Sequence, residues 1–337
     1  MFPGIGATNL WPPGGPRHGR ESPAPPPGGH LRRPVPPGIT FRELGTYAEY
    51  AECVAIQKET WGAAFSDVVP PSILKVSQEV GGITAGAFAP DGRMLGFIYG
   101  MTGFRDGKRA HWSDMLAVRS DLRGGGLGQK LKWYQRGLLL KRGVDTMFWT
   151  YDPLVARNAH LNLNRLGAEI HEYVPDYYGP ETDSELHRGL GTDRFVVVWR
   201  LQSARTRKAR AGRAVTDYRR AAAAPVVNTF EVGDVGVIPE ERELPDAPLI
   251  RVEVPNDIQD VKRDDTGIAW QWRTVTRRAF LHYLGKRYRV DGLYRDADGR
   301  AFYVLAAEKK KPLKKPQTRA AEKRKPLKKP QTRRRKR

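Results

Sequence analysis

Between Arg123 and Lys132 the chain reads RGGGLGQKLK, with four glycines in five consecutive positions. Glycine gives up the most backbone freedom on folding. Such a density marks a place where the main chain must bend sharply or be approached closely. Three phosphate chemistries compete for it. A Walker-type loop closes on Gly-Lys-Ser/Thr, and Gly128-Gln129-Lys130 does not. A dinucleotide fingerprint starting at Gly124 requires a glycine where Gln129 stands. A strand, then Arg-x-x-Gly-x-Gly, then a helix does fit, over Arg123-Gly124-Gly125-Gly126-Leu127-Gly128. Main-chain N–H groups converge in such a turn, and the helix start adds partial positive charge. The chemistry this predicts is the grip of an anion the size of a diphosphate.

Elements must deliver that turn. Ala110–Val118 reads as the strand before it. Leu127, Leu131, Tyr134 and Leu138 form an amphipathic stripe behind it, ending at Gly143. Upstream, Ile39 opens a short strand, and 46–61 is a helix with Tyr47, Tyr50, Ala51, Val54 and Trp61 on one face. PPSILKVSQEVGG is a second helix with proline in its first turn. Two apolar runs around Pro90-Asp91-Gly92 make a hairpin. Downstream follow a strand at 145–151, a helix stopped by Gly167, and two closing strands, AEIHEYV and RFVVVWRL. The order β-α-α-β-β-β-α-β-α-β-β over 39–201 predicts an α/β domain: a mixed sheet with helices on both faces.

Around that domain the composition shifts. Residues 1–38 are half proline and glycine and are expected to be disordered. Residues 202–246 read as a linker with a basic opening, and 247–307 as a small α+β segment too short to be comfortable alone, hence packed on the main domain. Residues 308–337 form a basic low-complexity tail in which AEKKKPLKKPQTR returns as AEKRKPLKKPQTR. Of the formal charge of +21, this tail holds +14 and residues 1–38 hold +3, so the body is nearly balanced. The tail is expected to contact nucleic acid or another polyanion without sequence specificity, since no aromatic residue interleaves its charges. One cysteine, Cys53, excludes an internal disulfide and suits a reducing, cytoplasmic setting; its helical context marks it as a core residue. The N-terminal stretch lacks the pattern of a secretory signal, and no apolar run is long enough for a membrane helix. The histidines lack metal-site spacing, so no metal is expected.

With these residues in view, the chain resembles the GNAT superfamily of acyl-CoA N-acyltransferases over about residues 39–201. The segments QKETWG, DMLAVRSDLRGGGLGQKLKWYQR, FWTYDPLVARNAHLNLNRLGA and PDYYG carry the likeness, closest to a branch of poorly characterised bacterial members that also has a C-terminal segment like 249–307. The resemblance implies a GNAT-like fold that uses acetyl-CoA or another acyl-CoA as co-substrate. The acceptor would be an amine on a small molecule or peptide. Leu116, Ala117 and Val118 would pair with the pantetheine arm. Arg123, Gly124, Gly125, Gly126, Leu127, Gly128 and Gln129 would hold the pyrophosphate. Asn158 would hydrogen-bond the arm, and strand 145–151 would splay from its neighbour to leave a slot for the thioester.

Acyl transfer needs an unprotonated amine, a polarised carbonyl and a proton for the leaving thiolate. A backbone N–H near Val118 is suited to the developing oxyanion. Asp114 and His111 lie three apart on the strand feeding the turn, which puts them on opposite faces; Asp114 is the favoured base. Many relatives carry a tyrosine as acid where Leu163 stands, and a phenylalanine where Ala168 stands. Tyr151, Tyr177, Tyr178 or water would have to replace that tyrosine. The competing expectation is a catalytically silent protein of the same fold that binds CoA or a polyanion.

Overall fold

The computed structural model describes residues 34–179, 188–216, 218–232 and 236–308. The stretch before residue 34, the repeat tail from residue 309 and part of the 175–193 loop lie outside the described residues. The chain divides into two compact units. One comprises residues up to Thr102 with Ser113–Arg142, the other Gly103–Trp112 with Gly143 onward.

The first unit begins with β1 (Thr40–Glu43) and α1 (Tyr47–Trp61). Thr46 caps α1: its hydroxyl accepts from the Glu49 N–H, and the Glu49 carboxylate accepts from the Thr46 N–H. The buried face of α1 is turned from the expected one. Tyr47 is 70% exposed, whereas Tyr50, Cys53, Ile56 and Gln57 point inward. Gln57 explains the turn. Its carboxamide accepts from the Val69 N–H at 2.8 Å and donates to the Val69 carbonyl at 3.1 Å, so a polar residue holds a core position. Next come α2 (Pro71–Glu79), β2 (Ile83–Phe88), β3 (Met94–Arg105) and β4 (Lys108–Val118). β1, β2 and β3 pair antiparallel in sequence order, and β4 follows β3 in the sheet. β3 and β4 both run on into the second unit, where Asp106 and Gly107, each at positive φ, make the two-residue turn between them.

Helix α3 (Leu127–Lys141) buries Leu127 and Leu131 as expected, but also Lys132, Gln135 and Leu139; Tyr134 and Leu138 are only half-buried. A polar network turns this helix too. Lys132 Nζ donates to Ser113 Oγ at 2.8 Å, and that hydroxyl donates to Gln135 Oε1 at 3.0 Å. Ser113 therefore faces α3, and so does Leu116, whose Cδ2 lies 3.6 Å from where a Cβ on Gly128 would stand. Met115 and Ala117 instead join Tyr50, Cys53 and Leu74 in the core beneath α1 and α2. Helices thus cover both faces of this part of the sheet. Ser113 and Leu116 share a face although three apart, so the alternation of β4 is interrupted between them. The simple parity assumed for His111 and Asp114 does not hold across this stretch.

In the second unit the first half of β4 pairs in parallel with β5 (Thr146–Tyr151), His111 opposite Met147 and Trp112 opposite Phe148. β7 (Arg194–Arg200) lies antiparallel between β5 and β6 (Glu169–Val174). The sheet is therefore mixed, as expected. The helix between β5 and β6 is a short α4 (Ala156–Ala159) continued by a π-helical turn, His160–Arg165, before Gly167 at φ +71°. Within 202–246 the chain forms α5 (Ala204–Arg210) and a ladder of β8 (Thr229–Val232) with β9 (Gly236–Pro239). A three-stranded sheet follows, ordered β10 (Leu249–Val254), β12 (Ala301–Ala307), β11 (Tyr288–Arg295), with α6 (Ile258–Asp264) and α7 (Thr266–Gly285). Phe280 of α7 meets Phe195 of β7 at 4.8 Å and Tyr303 of β12 at 5.4 Å between ring centres. Edge-on aromatic contacts of this kind add to the burial that joins the C-terminal segment to β7.

Candidate functional site

The glycine turn is built from both ends. Glu59, near the end of α1, accepts from the Ser120 N–H and from the Ser120 hydroxyl, both at 2.9 Å. Burial opposes its charge, but these bonds and the Arg119 guanidinium at 3.0 Å hold the Glu59 carboxyl below the usual carboxylate range. Arg123 reaches back to the Val118 carbonyl at 3.1 Å and to Thr60 Oγ1 at 3.3 Å. Its guanidinium thus braces the turn against β4 and α1. Gly124 and Gly126 sit at φ +87° and +78°, the left-handed region where a side chain is strained. Gly125 is required by space: a Cβ there would stand 2.3 Å from Val35 Cγ2.

Gly126 is the N-cap of α3 and offers no side chain to the helix start. Helices α1, α5, α6 and α7 are all capped by side chains, from Thr46, Ser203, Asp257 and Asp265. The first bond into the cap carbonyl of α3 comes from Lys130, at 3.1 Å, and its first turn has no acidic residue. By helix geometry the N–H groups before Lys130 have no partner within the helix. The main-chain N–H groups of Gly126, Leu127 and Gly128 lie at this end of positive potential.

Leu116, Ala117 and Val118 form the strand end above this turn. On one side β3 is so close that a Cβ on Gly96 would stand 2.6 Å from the Ala117 carbonyl oxygen. On the other side, β4 has no strand partner after Trp112 among the described residues. A bare strand edge can take the amide groups of an extended ligand as another strand would.

Of the two candidate bases, His111 is fully buried and Asp114 is exposed. The Asp114 charge helps to raise the Tyr99 phenol, after burial as the larger cause. Leu163 and Ala168 are both fully buried in the core. Tyr151 is buried as well, with its hydroxyl 3.2 Å from that of Tyr303, and burial pushes it up beyond the usual tyrosine range. Asn158 is half-buried on α4. Tyr177 and Tyr178 are 36% and 50% exposed. Tyr177 lies parallel to Trp112, and the Tyr178 hydroxyl is 2.9 Å from Thr150 Oγ1.

Several residues of this region carry little signal in the sequence. Nothing in the spacing of their strands marks Trp112 or Thr150. Asp152, just after β5, is buried and takes two bonds from the buried Arg273, at 3.0 and 2.7 Å, with Arg194 3.8 Å away. Burial alone would raise that carboxyl, but the charge and hydrogen bonds of Arg273, with Arg194 behind it, hold it down at about 2. The one available signal was FWTYDP, an acidic residue closing an apolar strand. Lys132 was likewise hidden in a helical stripe; burial pushes its ammonium down to about 7. Among the described residues no cluster of histidine, cysteine and carboxylate could hold a metal ion, and no helix is long and apolar enough to cross a membrane.

No protein-family model and no curated protein matches the chain. Solved structures similar to it include the ribosomal-protein-S18-alanine N-acetyltransferase of Escherichia coli, 20% identical, covering 49% of this chain and 96% of its own, with a TM-score of 0.39. An acetyltransferase of Salmonella typhimurium with its cofactor acetyl-CoA is 17% identical, covering 49% and 95%, with a TM-score of 0.39. An acetyltransferase of the GNAT family from Streptococcus pneumoniae is 17% identical, covering 48% and 98%, with a TM-score of 0.38. The resemblance to the GNAT superfamily stands on the element order and on the glycine turn. These similarities assign no residue of this chain a role.

Proposed function

We propose that the chain is an acyl-CoA-dependent N-acyltransferase that passes an acetyl group to a primary amine of a small molecule or peptide, by direct attack. The observation that carries this reading is the start of α3. It is a helix without a side-chain cap, opening onto glycines whose amides point at nothing in the helix itself. The bare edge of β4 beside it suits an extended, amide-bearing arm. In this reading Gly124 to Gln129 hold the diphosphate, Leu116 to Val118 pair with pantetheine, and Asn158 adds a hydrogen bond to that arm. The amine nitrogen attacks the thioester carbon, its proton passing to Asp114 directly or through water. The carbon–sulfur bond breaks, and the thiolate takes a proton from Tyr177, Tyr178 or water.

Burial of Leu163, where many relatives carry a tyrosine, favours a second reading: a protein that binds CoA and catalyses nothing. One assay separates the two. Free thiol release from acetyl-CoA is followed over a broad panel of amines, with Gly126→Glu as control. Release that depends on the amine and vanishes in the variant supports the transferase. CoA binding without turnover on any amine supports the silent protein, and absence of CoA binding overturns both.

A further inference from the structure

Tyr178 is half exposed, yet it is held from every side. Its hydroxyl meets Thr150 Oγ1 at 2.9 Å, and its N–H donates to Thr192 Oγ1 at 3.0 Å. Its ring stands edge-on to Tyr177 at 4.8 Å and 74°. Tyr177 in turn stacks on Trp112 at 6.4 Å and 10°. Beneath the Tyr178 ring lies the buried Arg194 guanidinium, 5.4 Å from the ring centre.

The turn that carries Tyr178 is clamped as firmly. Asp176 sits at φ +45°, a costly conformation for aspartate. Its carboxylate accepts from Arg277 of α7 at 3.0 and 3.1 Å and from the Thr192 N–H at 3.3 Å. Its N–H donates to Asp193 Oδ1 at 3.1 Å. Arg277 Nε also donates to Asp193 Oδ2 at 2.9 Å, and Thr192 Oγ1 donates to the Gly179 carbonyl at 2.6 Å. These bonds also tie the turn to α7, and they leave the half-exposed ring of Tyr178 with a fixed orientation. Such an orientation is what a preformed binding surface requires, because ordering a mobile ring on binding would cost affinity.

The cation beneath the ring narrows the ligand. An aromatic face attracts ammonium groups, but here a guanidinium already lies against one face and opposes a second cation across the ring. A flat, electron-rich ring has no such conflict and gains from offset stacking. We infer that Tyr178 is the platform for the acceptor, and that the acceptor is an amine carrying a planar aromatic ring. Arg277 and Asp176 act as positioning residues for that platform. The inference rests on the transferase reading above.

The test compares 2-phenylethylamine with 2-cyclohexylethylamine, which share an amine and a size but differ in aromaticity. Thiol release from acetyl-CoA gives kcat/KM for each, and CoA binding is measured alongside. The expected preference for the aromatic amine is about 3- to 10-fold. The ratio persists in Tyr178→Phe, which keeps the ring, even where loss of the hydroxyl lowers kcat for both amines alike, and it falls to about one in Tyr178→Leu. Arg277→Ala lowers the ratio through KM while CoA affinity stays at the wild-type value. Turnover of both amines at equal kcat/KM, or a preference that survives Tyr178→Leu, overturns the platform and leaves the transferase standing. No thiol release with either amine or with the broader panel overturns the transferase and the platform with it.

Discussion

Replacing Gly128 by glutamate sets stability against binding. Gly128 lies in the first turn of α3 and, unlike Gly124 and Gly126, has no left-handed φ. A Cβ there would make only an ordinary contact, 3.6 Å from Leu116 Cδ2. Nothing within the described chain therefore demands glycine. Removing it from a helix recovers roughly 0.5–1 kcal/mol of propensity. A carboxylate in the first turn, which now has none, adds about 0.3–1 kcal/mol with the helix dipole. Gly128→Glu should accordingly stabilise the fold by about 0.8–2 kcal/mol. The same side chain would put bulk and negative charge where the diphosphate is proposed to sit, and CoA affinity should fall by more than about tenfold. Denaturant melts read the first effect and calorimetric titration with CoA the second. A variant that gains stability and binds CoA as the wild type does would show that the diphosphate does not lie at this turn.

Lys132→Met tests the buried network behind Ser113. Between about pH 7 and pH 10.5 the unfolded chain holds a proton that folded Lys132 has lost, so wild-type stability rises with pH in that window; the variant should lack that slope in pH-dependent denaturant melts. Asp152→Asn leaves Arg273 and Arg194 buried without their carboxylate and should cost about 3–5 kcal/mol in the same melts. Gly125→Ala should destabilise through Val35, and the double variant with Val35→Ala should recover most of the loss; additive losses would place Val35 elsewhere. A chain ending at Ala307 should lose retention on DNA at low salt and keep CoA binding, whereas unchanged retention would refute the role expected of the tail.

The parts of the fold legible in the sequence are those governed by local rules. Proline at the start of α2, the Pro90-Asp91-Gly92 turn and Gly167 after the π-helical turn each act within a few residues. Helix faces depart from the apolar stripe where a polar group is buried. Gln57 in α1, and Lys132 with Gln135 in α3, occupy inward positions because distant partners at Val69 and Ser113 satisfy them. Periodicity weighs only hydrophobicity, so it rotated both stripes toward Tyr47 and toward Tyr134 and Leu138. The Asp106-Gly107 turn was legible in principle, since Asp-Gly between alternating runs is a strong hairpin signal. The interruption in β4 was not, because nothing in SDMLAV announces it.

The same distinction separates the two halves of the candidate site. The proposed grip on the diphosphate is made by main chain, and main chain that must stay bare is written directly as glycine. Its supports are distant in sequence, 61 and 63 residues away: Glu59 and Thr60 of QKETWG hold Ser120 and Arg123, so two separate segments of the sequence are one structure. The proposed acceptor surface is made by side chains from β4, β5, the turn at 176–179, the start of β7 and α7. No spacing links Trp112, Thr150, Tyr178, Arg194 and Arg277: the pairing of β4, β5 and β7 gathers the strand residues, and Arg277 reaches the turn because Phe280 packs α7 on Phe195 and Tyr303. On the proposed acceptor platform, a change confined to α7 should alter which amine is used while leaving untouched the donor's proposed grip on the glycine turn.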